Sequence, residues 1–102
     1  MKHLTLIIHT SAQQDLADQL RSMEQVSGFT FSNVEGHGVQ VESDPFLSAR
    51  DKVVGYTPRV RVDILLDDAN VDVVLIMLRE SESNIAGQSI YWITPVEEGG
   101  HL

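Results

Sequence analysis

The chain has 102 residues, 42% of them hydrophobic and 22% charged, with fifteen acidic against seven basic side chains for a formal net charge of −8. A chain of that size fits one domain with one core, and the composition is that of a globular rather than a disordered protein. The acidic balance argues against nucleic acid as a partner, because phosphate backbones need clustered cations. The absence of cysteine excludes disulfide frameworks and thiolate metal sites. No apolar run approaches a membrane span, and the opening MKHLTLIIHT is too short and too patterned for a signal peptide. A cytoplasmic location without direct membrane insertion is therefore expected.

From His3 to His9 the residues alternate, with Leu4, Leu6 and Ile8 on one face and His3, Thr5, Ile7 and His9 on the other, which predicts a strand. Ser11 offers a helix N-cap, with Gln14 three residues on completing a capping-box pattern. Leu16, Leu20 and Met23 then recur at helical spacing, and Gly28 supplies a stop. Phe29 to Val41 predicts a second strand interrupted by Gly36 and Gly38, and Ser43 to Gly55 predicts a loop with Asp44-Pro45 as its turn signal. Arg59 to Leu66 alternates again, with Val60, Val62, Ile64 and Leu66 on one face. Asp67 and Asp68 are placed to cap a second helix whose apolar stripe is Val71, Val74, Leu75 and Leu78. Ile90 to Thr94 predicts the last strand, ended by Pro95.

The order β-α-β-β-α-β predicts an α+β, ferredoxin-like fold over residues 1–102: a four-stranded antiparallel sheet with two helices on one face. The other face has no cover within the chain and is expected to carry His9, Glu35, Arg61 and Asp63 among Thr5, Ile7 and Leu65. Such a mixture suits a subunit interface in which charges pair and apolar residues pack.

Candidate chemistry concentrates around the Gly-His-Gly of residues 36–38, where glycines permit a bulge and a close backbone approach to a ligand. The histidines lie at 3, 9, 37 and 101, with none at the helical metal-pair spacing. His3 and His9 share a face but stand about 20 Å apart at roughly 3.3 Å per residue, too far to chelate one ion. His37 with Glu35 two residues away is the one pair that, repeated around an oligomer, could gather ligands for a divalent metal. No nucleophile triad or metalloprotease motif is present, so a non-enzymatic role is expected. Tyr91 and Trp92 suit a core or an interface.

The order of elements, the GHGVQ before the loop, the TPRVRVDILLDD after it and the closing IYWITPVEE together resemble the PII (nitrogen regulatory protein-like) signal-transduction superfamily. The resemblance runs from the first strand to about Glu98. It implies a homotrimer with a nucleotide site between subunits and a β2–β3 loop, the T-loop, that docks partner proteins. Carried over by position, the ligand-binding residues are Gly36, His37, Gly38, Val39, Gln40, Gly87 and Ser89, and the partner-docking loop, residues 43–55, includes Asp44, Phe46, Arg50 and Lys52.

Where this sequence departs from that pattern, it loses positive charge. Val39 and Ser89 stand where the family has arginine and lysine, and the tail after Glu98, GGHL, has no arginine. Arg50 and Lys52 occupy positions where many relatives are covalently modified, so regulation by such modification is not expected. The reading is thus a trimeric regulator that binds a small ligand, other than tightly held ATP, and docks a partner such as a membrane transporter. The alternative is a protein similar to the trimeric CutA, binding divalent or heavy-metal ions in metal tolerance or efflux.

Overall fold

A computed structural model describes residues 1–38, 55–81 and 89–102. Strand β1 (Lys2–His9) leads through a 3-10 turn (Thr10–Ala12) into helix α1 (Gln13–Arg21), and strand β2 (Thr30–Gly36) follows. Strand β3 (Thr57–Leu66) leads through a second 3-10 turn (Asp68–Asn70) into helix α2 (Val71–Glu80), and strand β4 (Ile90–Pro95) closes the order. The four strands form one sheet in the order β2-β3-β1-β4, with every neighbouring pair antiparallel. This is the expected ferredoxin-like arrangement, two split βαβ units sharing one sheet.

The core is written into the period-two pattern of the central strands. Leu4, Leu6 and Ile8 of β1 stand opposite Ile64, Val62 and Val60 of β3, and all six are at most 3% exposed. Leu16 and Leu20 of α1 and Val71, Val74, Leu75 and Leu78 of α2 close over them in one cluster. Burying a side chain of this kind contributes about 1.5–3 kcal/mol.

The helix boundaries differ from the expected ones. Ser11 lies inside the first 3-10 turn and caps nothing; the N-cap of α1 is Ala12, without a side-chain hydrogen bond. The helix ends at Arg21 with Ser22 as its C-cap, so Met23 reaches the core from the following segment and Gly28 is not the stop. Asp67 and Asp68 likewise provide no side-chain cap. Asp68 instead accepts the N-terminal ammonium at 2.7 Å. In both cases a 3-10 turn takes the place of the capped first turn, so the cap-forming side chains sit too early.

Leu16→Ala should cost about 2–5 kcal/mol in urea unfolding, whereas Val73→Ala, on the exposed side of α2, should change stability by less than about 1 kcal/mol.

Candidate functional site

The β2–β3 pairing ends with Gly36 opposite Thr57, which brings the two ends of the intervening segment together. His37 Nδ1–H donates to the Gly55 carbonyl oxygen, and the His37 ring meets Tyr56 edge-on with centroids 6.5 Å apart. Gly55 has φ +80°, and a Cβ there would lie 3.5 Å from His37 Nδ1. Here the backbone demands glycine. Gly36 and Gly38 differ: neither has positive φ, a Cβ at Gly36 would make ordinary contact with Arg59, and one at Gly38 would meet nothing. The chain itself therefore does not require glycine at 36 or 38.

His37 thus has one ring nitrogen engaged in clasping the loop base. Glu35 stands opposite Pro58, and the even-numbered β3 positions Val60, Val62, Ile64 and Leu66 are the buried, helix-covered ones. Glu35 consequently belongs to the helix side and not to the open face that its parity in the sequence suggests. The open-face positions of β2 are Thr30, Ser32 and Val34, opposite Asp63, Arg61 and Arg59. Among the described residues no group of three or more His, Asp or Glu is arranged to hold a metal ion.

The open face carries a connected cluster that the sequence hints at only by parity. Thr5, fully buried, stands opposite Asp63 on one side and Trp92 on the other. His3 Nε2 lies 2.7 Å from Asp63 Oδ1, and Arg61 Nε donates to both Asp63 oxygens at 3.1 and 3.2 Å. The Arg61 guanidinium lies over the Trp92 ring, 5.9 Å from its centroid, a cation–π contact. Burial raises the Asp63 pKa, but the hydrogen bonds and charges of His3 and Arg61 outweigh it and hold the carboxyl below its ordinary value.

Of the expected ligand residues, Gly36, His37, Gly38 and Ser89 are described, and one copy does not bring Ser89 to the other three. Gly36 ends β2 at one edge of the sheet, and Ser89 precedes β4 at the other edge. Both lie toward the C-terminal end of β1, since Ile90 pairs with Ile7 and Gly36 with Thr57. Three strand spacings and a three-residue offset along β3 put them roughly 17 Å apart. Val39, Gln40, Asp44, Phe46, Arg50, Lys52 and Gly87 lie outside the described residues. Strand β4 itself is exposed along its whole length, with Ile90 at 62% and Trp92 at 40%, and it carries no charged residue.

A family model described as "Protein of unknown function (DUF3240)" matches residues 1–102. The chain belongs to this family. Among solved structures, a DUF3240 family protein from Shewanella baltica OS155 is similar at 23% identity and a TM-score of 0.75, over 99% of this chain and 94% of that one. At this identity the likeness speaks for the fold. Among the described residues no helix is long and apolar enough to cross a membrane.

Two substitutions test the local chemistry. Gly55→Ala, forced into left-handed backbone, should lose about 1–2 kcal/mol, whereas Gly38→Ala should be close to neutral. Asp63 has a folded pKa lowered from 3.8, so its contribution is complete above the unfolded value and is lost as pH falls through the folded one. Asp63→Asn should therefore lower the melting temperature at pH 7 and flatten the acid-side loss of stability below about pH 4, as followed by circular dichroism.

Proposed function

We propose that this chain is a non-enzymatic, PII-like regulatory protein of the cytoplasm. In this reading it assembles as a homotrimer, binds a small ligand in clefts between copies, and docks a partner such as a membrane transporter through residues 43–55. The observation that carries the reading is the separation of the ligand residues. Gly36–Gly38 and Ser89 lie at opposite edges of one sheet, so the described residues of a single copy do not converge on one site. A head-to-tail arrangement, with the β4 edge of one copy against the β2 edge of the next, would join them, and repetition of such a contact closes a ring.

The character of β4 supports that contact. Sheet edges in isolated domains are commonly blunted by charge, proline or cover, yet Ile90, Tyr91, Trp92 and Ile93 are all exposed and only the terminal Pro95 interrupts pairing. Trp92 and Arg61, already held against each other, are residue types that dominate interface energetics. At the loop base, glycines that the chain does not itself require at 36 and 38 leave room for a ligand to approach the backbone, where N–H groups can hold an anion. The ligand acts by contacting one conformation of the docking segment better than another, which shifts the population between them. With valine at 39, serine at 89 and a net charge of −8, a small anionic metabolite suits the cleft better than a triphosphate.

Light scattering at micromolar concentration should give about three times the 11.3 kDa chain mass; a monomer mass would remove the clefts and the reading with them. Ile93→Lys, on the bare edge, should dissociate the assembly while leaving the far-ultraviolet spectrum unchanged. In calorimetry ATP should bind weakly or not at all. Submicromolar ATP affinity would contradict the loss of the cationic contacts at 39 and 89.

A further inference from the structure

Helix α2 is apolar well beyond what the core uses. Its buried residues Val71, Val74, Leu75 and Leu78 form one stripe, yet Val73, Ile76 and Met77 on the outward side are also apolar and are 38–50% exposed. A helix that is apolar around most of its circumference is ordinarily covered on both sides. Val73, Ile76 and Met77 are spaced i, i+3 and i+4, so they form one continuous strip on the helix surface. Both ends of the strip are acidic. Asp72 and Glu80 stand one turn before and one turn after Ile76 on the same line, about 12 Å apart at roughly 1.5 Å of rise per residue. Helix α1 flanks the strip, for Gln19 Nε2–H donates to the Met77 carbonyl oxygen at 3.1 Å. Asp15 lies one turn before Gln19 on that side of α1.

The charged residues of the two helices are four acids, Asp15, Asp18, Asp72 and Glu80, against two arginines. Both arginines are engaged. Arg21 Nη1 donates to Asp18 at 3.0 Å, and Arg79 Nη2 donates to the Tyr91 hydroxyl at 2.9 Å with its guanidinium over that ring. The carboxylates of Asp15, Asp72 and Glu80 make no ion pair or hydrogen bond with another described residue. We infer that the outward face of α2 docks a basic amphipathic helix of a partner protein, with the partner's apolar stripe on Val73, Ile76 and Met77 and its cations on Asp72 and Glu80. The spacing of those acids calls for lysine or arginine about two turns apart with apolar residues between them. A second copy of α2 would set these acids against their like, and an anionic bilayer would be repelled by the net charge of −8. A basic helix satisfies the strip and its rim together. This surface belongs to the helix layer and rests on neither the assembly nor the docking segment proposed above.

A labelled synthetic peptide of about fifteen residues, with lysines two turns apart on either side of leucines at helical spacing, serves as the probe in fluorescence anisotropy with the full chain. Saturable binding in the micromolar range is expected for so small a surface, and it should weaken as salt is raised. Val73→Gln with Ile76→Gln should weaken binding about tenfold, a loss of about 1.4 kcal/mol, with the far-ultraviolet spectrum unchanged. Asp72→Asn with Glu80→Gln should weaken it about fivefold and reduce its salt dependence. Glu24→Gln with Asp67→Asn, which removes equal charge from outside both helices, should leave it within about twofold. Absence of saturable binding would overturn the assignment, as would equal binding of a peptide with glutamate for lysine or with its leucines out of helical register. Equal loss in the two charge-removing variants would overturn it too, and so would sedimentation of the chain with phosphatidylglycerol–phosphatidylcholine vesicles in place of peptide binding. A monomer mass in light scattering leaves these readouts unchanged, so the docking face and the trimer stand or fall separately.

Discussion

The pairing of β1 with β3 is the constraint on which the rest of the molecule depends. Leu4, Leu6 and Ile8 meet Ile64, Val62 and Val60 on the helix side, and that register fixes what stands on the reverse. A slip by one residue would carry the whole apolar set to the open face, so burial of six large side chains holds the register. His3, Thr5, Arg61 and Asp63 are brought together by the same register. The polar cluster is thus a by-product of the core, and its geometry inherits the rigidity of the core.

The strand order has an equally direct consequence at the edges. Each split βαβ unit leaves room for a strand of the other, so β1 and β3 become central while β2 and β4 are left outside. The apolar stripes of the two helices pack against the central strands, and β4 remains exposed on both faces. An edge so apolar and so free of charge is costly to leave in water. On the function proposed above, a second copy at that edge would cover it and complete the divided candidate site.

Features governed by local periodicity are legible in the sequence. The alternation in β1 and β3 and the stripe Val71, Val74, Leu75 and Leu78 of α2 recur in the structure with nearly the expected bounds. Features settled by other means are not. Glu35 lies in a strand whose own alternation is weak, so its face is decided by pairing with Pro58 rather than by its neighbours in sequence. The capping motifs mislead because 3-10 turns precede both helices. At the loop base the sequence draws the eye to the paired glycines at 36 and 38, whereas the backbone places its demand on Gly55, whose positive φ has no local signature. The contacts of Asp63 with His3, sixty residues away in sequence, arise from long-range register alone.

Asp63 ties the open face to the centre of the sheet, since its carboxylate accepts from Arg61 Nε and lies 2.7 Å from His3 Nε2. Protonation of Asp63 would weaken its hold on Arg61, which would then rest on Trp92 with less support. If the open face is an interface, the ionisation of Asp63 and assembly share one free energy of coupling, and each must affect the other equally.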